Sequence, residues 1–191
     1  GWGYIDPRTG MVDFSYTGLA RNEFPGDDWY HYWYVENGQI NFNYNGFVTY
    51  TSRYNEPAVC YITGGQADAN VNGVYLLTVN GKTDWYGLWR GMYTTNEVLM
   101  NPNDGSWWYV GDEGVIDFSY TGIGYNEAGS WYIRNGQVDF SYNGMIEGWH
   151  TDDYRWPYQY YFVNGKLNEG LTGVFYTTVN GVLGWYGYSQ G

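Results

Sequence analysis

Tryptophan and tyrosine occur in polar, irregular stretches of this chain where no core pattern accounts for them. These stretches are NEFPGDDWYHY (22–32), TYTSRYNEPA (49–58) and GWHTDDYRWPY (148–158). A flat aromatic ring can bury the apolar C–H face of a sugar, while amide, carboxylate and guanidinium groups satisfy its hydroxyls. With Trp89, which follows a hairpin pattern, these stretches supply the candidate ligand-binding residues Trp29, Tyr54, Trp89, Trp149, Tyr154, Arg155 and Trp156.

Other chemistries lack the residues they need. His31 and His150 are too few and too isolated for a metal cluster. The pairs 27–28 and 152–153 and the stretch NPNDG (101–105) do not have the spacing of an EF-hand loop. A glycosidase needs two carboxylates beside a cleft, and the recurrence of Asp13 as Asp117 follows from duplication alone. We therefore expect no catalytic residue, no metal and no cofactor.

The composition narrows the classes of partner. The 191 residues include 20 acidic and 8 basic side chains, a net charge of −12, which argues against nucleic acids and anionic membranes. No run approaches the length of about eighteen apolar residues that a membrane span needs. Aromatic residues make up 23% of the chain, with 24 Tyr and 11 Trp. Both residues combine an apolar body with a polar group, so they suit half-wet surfaces as well as cores.

The sequence segments that position these residues occur twice in the chain. The phrase WYVENGQINFNYNG (33–46) returns as WYIRNGQVDFSYNG (131–144), and MVDFSYTG (11–18) returns as VIDFSYTG (115–122). The matched blocks appear in the same order in both halves. The pattern predicts two homologous lobes, 1–95 and 106–191, with a joint at 96–105.

Turn residues divide each lobe into hairpins. Asn-Gly, the strongest short hairpin signal, occurs eight times. No sustained helical period is present, and aromatic and β-branched residues dominate between the turns. The sequence thus predicts an all-β fold with about four hairpins in each lobe. Their turns lie at Thr9-Gly10, Asn37-Gly38, Gly64-Gly65, Asn80-Gly81, Glu113-Gly114, Asn135-Gly136, Asn164-Gly165 and Asn180-Gly181.

Alternation along these hairpins predicts which side chains point inward. One face of the repeated phrase carries Trp33, Val35, Ile40, Phe42 and Tyr44, and its copy carries Trp131, Ile133, Val138, Phe140 and Tyr142. We expect this face to form core. In the last hairpin of each lobe, the same reasoning places Trp85 and Trp185 inward, with Tyr86 and Tyr186 on the opposite face.

The repeated phrases carry a resemblance. They resemble the W-Y-V-x-N-G-x-V-D-F-S-Y-T-G repeats of surface proteins from gut clostridial bacteria, which are distantly similar to choline-binding and glucan-binding cell-wall repeats. The two-copy arrangement resembles the second starch-binding module of the starch adherence system proteins of amylosomes. This resemblance implies a bilobed fold with a groove between the lobes that holds an α-1,4-glucan, and no catalysis.

The two copies differ where the candidate residues lie. Glu56 aligns with Trp156, and Asn55 aligns with Arg155. We therefore predict an asymmetric groove, dominated by Trp149, Tyr154 and Trp156 from lobe two. Lobe one is expected to contribute Trp29, Tyr54 and Trp89.

Four functions remain open at this point. We favour a non-catalytic module that binds starch or maltooligosaccharides, a monomeric part of a larger extracellular protein on a bacterial surface or in an amylosome. The alternatives are an adhesion repeat for cell-wall or host glycans, a structural spacer whose aromatic residues are all used in packing, and an enzyme, which is the least favoured.

Overall fold

The computed structural model describes residues 3–22, 31–51, 57–79, 81–150, 153–170, 172–179 and 181–188. Within these ranges the chain forms antiparallel strands and turns without any helix, which confirms the predicted all-β class. In the same ranges no helix is long and apolar enough to cross a membrane.

The chain folds as two compact units, 1–95 and 96–191, here called unit 1 and unit 2. Residues 96–105, interpreted above as a joint, fall in unit 2 and include a strand.

Unit 1 contains one nine-stranded sheet. Its strands are β1 (Gly18–Asn22), β2 (His31–Glu36), β3 (Gln39–Ile40), β4 (Gly46–Thr51), β5 (Pro57–Thr63), β6 (Gln66–Ala67), β7 (Gly73–Val79), β8 (Lys82–Trp89) and β9 (Met92–Tyr93). They run in the order β1-β2-β6-β5-β9-β8-β7, with β3 paired to β2 and β4 paired to β5.

Unit 2 contains an eight-stranded sheet and a separate two-stranded sheet. Its strands are β10 (Glu97–Met100), β11 (Trp107–Val110), β12 (Gly122–Asn126), β13 (Gly129–Arg134), β14 (Gln137–Val138), β15 (Gly144–His150), β16 (Asp153–Val163), β17 (Lys166–Leu167), β18 (Gly173–Val179) and β19 (Val182–Tyr188). The larger sheet runs β10-β11-β14-β13-β17-β16-β15, with β12 paired to β13, and β18 pairs with β19.

In the hairpin turns at Gly38, Gly65, Gly136 and Gly165, the glycine joins its hairpin to the preceding one. The amide of Gly136 donates to the carbonyl of Tyr120 at 2.8 Å, and its carbonyl accepts from the amide of Tyr109 at 2.8 Å. Gly165 makes the same two bonds with Tyr142 and Tyr132, each at 2.8 Å. Both backbone groups of the glycine are thus used by the neighbouring repeat.

This contact leaves no room for a side chain on the turn glycine. Gly136 has φ +78°, and a Cβ built there would lie 2.5 Å from the carbonyl oxygen of Asp117 and 2.9 Å from the Cα of Phe118. The partner is the turn that begins D-F-S-Y at Asp117, where the amide of Ser119 donates to Asp117 Oδ1 at 2.9 Å. This contact therefore requires two turn residues from adjacent repeats, a glycine in one repeat and an aspartate in the repeat before it.

The predicted inward face is partly right. Trp131, Ile133 and Val138 are buried in one cluster, and Trp131 is only 8% exposed. Tyr142 is not on this face, because the turn that starts at Asp139 bends the chain and stacks its ring on Tyr132, with centroids 3.8 Å apart.

The same bend also alters the end of the predicted face in both units. It leaves Phe140 exposed at the edge of the cluster, and Phe42 is likewise exposed in unit 1. Tyr44 packs against Tyr34, on the face opposite to the one predicted for it. Simple alternation fails at these positions because the strand after each turn is only two residues long.

Replacement of Gly136 tests the contact between hairpins. Gly105 in the same unit is a matched control, since it also has positive φ, +74°, but nothing lies within 4 Å of a built Cβ. We expect Gly105→Ala to lower the free energy of unfolding by about 1–2 kcal/mol, the cost of a Cβ in the left-handed region. Gly136→Ala adds steric overlap with backbone and is expected to cost roughly 3 kcal/mol or more. Equal losses in urea denaturation would show that the close approach does not contribute.

The turn aspartates predict a loss of stability in acid. The hydroxyl and amide of Ser119 donate to Asp117, which lowers the pKa of that carboxyl, and Ser141 lowers the pKa of Asp139 in the same way. A carboxyl with a lower pKa in the folded state contributes stability above its unfolded value, and this is lost as pH falls through the folded value. We therefore expect the melting temperature to fall steeply below about pH 4, the unfolded pKa of Asp.

The matched variant is the double substitution Asp117→Asn and Asp139→Asn. Asparagine can form the same turn, because Asn41 Oδ1 accepts from the amide of Asn43 at 3.0 Å in unit 1. We expect this variant to fold and to show a weaker dependence of melting temperature on pH between about 2 and 5. An unchanged profile would assign the acid sensitivity to other groups.

Candidate functional site

Trp185, the most exposed aromatic side chain in the described part of the chain, lies on the last hairpin of unit 2. Register pairing across β18 and β19 places Tyr176 opposite Trp185. Trp185 is 72% exposed and Tyr176 is exposed beside it. Their ring centroids lie 5.2 Å apart with an angle of 50° between the ring planes. The two rings form an open, bent platform, here called the terminal platform.

The opposite face of this hairpin is the one that packs. Tyr186 contacts the buried Met145 of β15, and its hydroxyl donates to the carbonyl of Val182 at 2.9 Å. The prediction that Trp185 points inward is therefore wrong, although its assignment of Trp185 and Tyr186 to opposite faces is right. The hydroxyl of Tyr186 finds a partner within the hairpin itself, so the tyrosine face can be covered without leaving that polar group unsatisfied.

In the last hairpin of unit 1, the corresponding faces are covered and exposed in the same way. Leu76 lies opposite Trp85 and is exposed, and Trp85 is half-buried, while Tyr86 is buried. The indole therefore lies on the outward face in both units, but only unit 2 places a second aromatic ring opposite it.

Hydroxyl groups border the terminal platform. Thr178 is exposed and lies two residues from Tyr176 on the same face of β18, opposite the exposed Leu183. In unit 1 the corresponding Thr78 and Thr83 hydroxyls lie 2.7 Å apart. A surface with apolar rings and a few hydroxyls at its edge can bind an amphipathic ligand by stacking and hydrogen bonding.

The segment that supplies most of the predicted site residues is a hairpin and not a loop. Trp149 lies near the end of β15 and is paired with Pro157 of β16. Tyr154, Arg155 and Trp156 lie in β16, and the side chains of these residues and of Trp149 lie outside the described part of the structure. Proline favoured the loop interpretation, but a register shift at Trp149/His150 lies beside Pro157, and irregular pairing tolerates proline within a strand.

The remaining predicted site residues belong to unit 1. Trp29 and Tyr54 lie outside the described residues. Trp89 is half-buried at the end of β8 and pairs with Met92 across the turn at Arg90 and Gly91. Of the seven predicted residues, Trp89 is therefore the one whose side chain lies in the described part of the structure.

A second aromatic surface follows the D-F-S-Y turns. The phenylalanine of each turn is exposed, and the two phenylalanines of unit 2 contact tryptophan rings in an edge-to-face arrangement. In unit 2, Phe118 lies 5.5 Å from Trp108, and Phe140 lies 5.6 Å from Trp131 and 5.7 Å from Trp107. Lys166 Nζ lies 5.4 Å from the ring of Trp131, whose Nε1 donates to Asn126 at 2.9 Å. These rings are largely engaged with one another, and Trp131 belongs to the core.

Unit 1 also contains a pocket of about 340 Å³, near the lower end of the range for small-ligand sites. Its lining includes Tyr4, Ile5, Ala20, Arg21, Trp33 and Val35.

The titratable groups of the described residues serve the fold. The hydroxyl or amide of a following residue lowers the pKa of Asp13, Asp68, Asp104, Asp117 and Asp139. A general acid would need a carboxyl pKa shifted upward. Burial raises the pKa of the Cys60 thiol to about 12, and the residue packs against Met92 as a small apolar side chain. In the part of the chain that is described, no three His, Cys, Asp or Glu residues are grouped to hold a metal ion.

The terminal platform was missed because tryptophan was weighted as the better core residue. Pairing across Asn180-Gly181 places Tyr176 opposite Trp185 and Phe175 opposite Tyr186, so both faces carry two aromatic residues. A two-stranded hairpin on the surface of a unit packs one face and exposes the other. The presence of aromatic residues on both faces of this hairpin was therefore the sequence signal for an exposed aromatic pair.

Comparison of the chain with known proteins gave no match. No protein-family model matches the chain, and no curated protein sequence matches it either.

Proposed function

We propose that this chain is a non-catalytic carbohydrate-binding module that recognises α-1,4-glucan by aromatic stacking. The observation that carries the proposal is the terminal platform, where Trp185 and Tyr176 lie side by side and exposed. The resemblance of the two-copy arrangement to the second starch-binding module of amylosome proteins supports the same ligand class. We place the module outside the cell, as a monomeric part of a larger surface or amylosome protein.

The geometry of the terminal platform suits a curved glucan. Each ring can cover the C–H face of one glucose residue, and the angle of 50° between the rings follows a chain that bends from one residue to the next. An α-1,4-glucan bends in this way, whereas a β-1,4-glucan is flat and fits coplanar rings. The tilt between the rings therefore favours starch over cellulose.

The charge of the chain is consistent with a neutral ligand. With a net charge of −12, the protein would repel phosphate backbones and anionic lipid surfaces, but an uncharged polysaccharide is unaffected. Stacking on apolar faces and hydrogen bonds to hydroxyls require no charge. Binding to glucan should accordingly depend little on ionic strength.

A structural spacer is the second candidate, and a separate observation favours it. Many aromatic rings are used within the fold, as in the stacked pairs Tyr4–Tyr16, Tyr109–Tyr120 and Tyr132–Tyr142, whose centroids lie 3.8 to 4.0 Å apart. A spacer, however, gives no reason for an exposed Trp185. An adhesion repeat with the same scaffold would differ only in its ligand, and sedimentation with purified sacculi that maltooligosaccharides do not inhibit would identify it.

Removal of Trp185 tests the proposal. Base–aromatic stacking is worth about 1–3 kcal/mol per ring and serves as the nearest analogue for sugar stacking. We therefore expect Trp185→Ala to weaken maltoheptaose binding roughly tenfold or more, since 1.4 kcal/mol is a factor of ten. Calorimetric titration gives the affinity, and retardation in native gels that contain amylopectin, compared with cellulose, xylan and pullulan, gives the specificity.

Two control variants accompany this measurement. Leu183→Ala removes an exposed apolar side chain from the same face without a ring, and we expect it to bind like the wild type. Trp131→Ala removes a buried ring and should lower the melting temperature. Absence of binding to every α-glucan by the wild-type chain would remove the proposal, and an unchanged affinity of Trp185→Ala would remove the terminal platform from it.

The site predicted from the sequence has its own test. If the indole of Trp156 stacks on the ligand, Trp156→Ala should weaken maltoheptaose binding roughly tenfold by the same estimate. Its control is Glu56→Ala, the aligned position of the first copy, which carries no ring and should leave the affinity unchanged. If Trp156→Ala binds like the wild type while Trp185→Ala does not, the ligand lies on the terminal platform alone.

A further inference from the structure

The chain contains eight Asn-Gly pairs, and this dipeptide is the one that deamidates most readily. In the reaction the backbone nitrogen of glycine attacks Cγ of the asparagine side chain and a C–N bond forms. The side-chain amino group leaves as ammonia, together with the proton of the attacking nitrogen. Water then opens the cyclic imide at either carbonyl, which gives aspartate or isoaspartate. No catalyst is needed, so the fold sets the rate by controlling the approach of the nitrogen to the side chain.

Three of the pairs form turns of stacked hairpins, where the neighbouring repeat holds the glycine nitrogen. The amides of Gly38, Gly136 and Gly165 each donate to a main-chain carbonyl of that repeat at 2.8 Å. A Cβ built on any of these glycines would overlap its backbone. An amide in such a bond gives up its proton less readily, and the adjacent backbone prevents it from moving towards a side chain. The asparagines that precede these glycines are Asn37, Asn135 and Asn164.

In three further pairs the fold holds the asparagine side chain. Oδ1 of Asn143 accepts from the amide of Asn164 at 3.0 Å, and its Nδ2 donates to the carbonyl of Ser141 at 3.0 Å. Asn45 and Asn72 make the same two kinds of hydrogen bond. Rotation of the side chain towards the nitrogen of the following glycine would break both bonds. These asparagines are therefore held away from the geometry that the reaction needs.

The tips of the last hairpins of the two units differ from the stacked turns at the glycine. Gly81 has φ +82°, close to the +78° of Gly136, so the two glycines share one local conformation. Among the described residues, however, none apart from its chain neighbours lies within 4 Å of a Cβ built on Gly81, and the same holds for Gly181. The contact that holds Gly136 is thus missing among the described neighbours of both tips. The preceding residues, Asn80 and Asn180, lie outside the described residues.

We propose that the stacking of hairpins selects the deamidation sites of this chain. Asn80 and Asn180 are modified, and the asparagines of the six other Asn-Gly pairs stay amides in the folded protein. Each reaction adds a negative charge, and isoaspartate also adds a methylene group to the main chain of a two-residue turn. Because such a turn fixes the register of its strands, modification of Asn80 should disturb the pairing of β7 with β8. The reaction needs no ligand and is therefore independent of the proposed glucan binding.

The experiment incubates the full chain in mildly alkaline buffer, once folded and once unfolded in guanidinium chloride. Mass spectrometry after digestion measures aspartate and isoaspartate at each Asn-Gly pair. We expect Asn37, Asn135 and Asn164 to react at least about tenfold more slowly in the folded chain, since a factor of ten corresponds to about 1.4 kcal/mol of local opening free energy. Asn80 and Asn180 should react within about twofold of their rates in the unfolded chain, because no neighbouring repeat has to open first.

The variant Tyr120→Ala loosens one stacked turn selectively. The ring of Tyr120 stacks on Tyr109 with centroids 4.0 Å apart, and its carbonyl accepts from the amide of Gly136. Loss of the ring should increase the open fraction of this turn and speed deamidation of Asn135 by at least about threefold. Asn37 in unit 1 is the internal control, and its rate should stay unchanged. A cooperative melting transition is the check that the variant is folded, and the wild-type comparison does not depend on it.

Three results would overturn the proposal. The first is an equal rate at Asn135 in the folded and unfolded chains, which would show that the stacked turn gives no protection. The second is that Asn80 and Asn180 stay amides in the folded chain and react only when it is unfolded. The third is an unchanged rate at Asn135 in folded Tyr120→Ala, which would separate the protection from the contact between hairpins.

Discussion

The fold depends on one contact between backbones, the approach of the turn glycines Gly38, Gly91, Gly136 and Gly165 to the aspartate turn of the preceding repeat. Gly136 donates one hydrogen bond to that repeat and accepts one from it, and a Cβ on this glycine would overlap the backbone of Asp117 and Phe118. Because both partners are main-chain atoms, the spacing and register of successive hairpins do not depend on the side chains that they carry. Side chains on the outer faces can therefore differ between repeats, and they do differ between the two units.

The sequence predicted the turns better than it predicted the faces. Asn-Gly pairs mark hairpin turns because both residues tolerate positive φ, and Asn135, for example, has φ 52°. This preference depends only on two adjacent residues, so the sequence alone is enough to predict it. Which face of a hairpin is covered depends on neighbours distant in sequence, and the inward assignment of Trp185 failed for this reason.

The aromatic composition indicated exposed rings, but it did not indicate that Tyr176 and Trp185 would present them. The surplus of aromatic residues indicated stacking surfaces, and the structure places one such surface at Tyr176 and Trp185. The sequence instead favoured residues 148–158 as the ligand site, because their proline and aspartate residues are typical of loops. In the structure, residues 148–150 and 153–158 belong to β15 and β16, which pair with a register shift at Trp149/His150. Strand pairing over several residues outweighed one unfavourable proline.

The sheet topology has a consequence for local stability. Within the described residues, β18 and β19 form a two-stranded sheet of their own, whereas β7 and β8 of unit 1 join the larger sheet through β9. An isolated pair of strands is marginal in water and opens more readily than strands paired on both sides. The amides of the terminal hairpin should thus exchange with solvent fastest among the strands of unit 2. A ligand seated on Trp185 would slow this exchange, so part of its binding energy would be spent in ordering the hairpin that presents the ring.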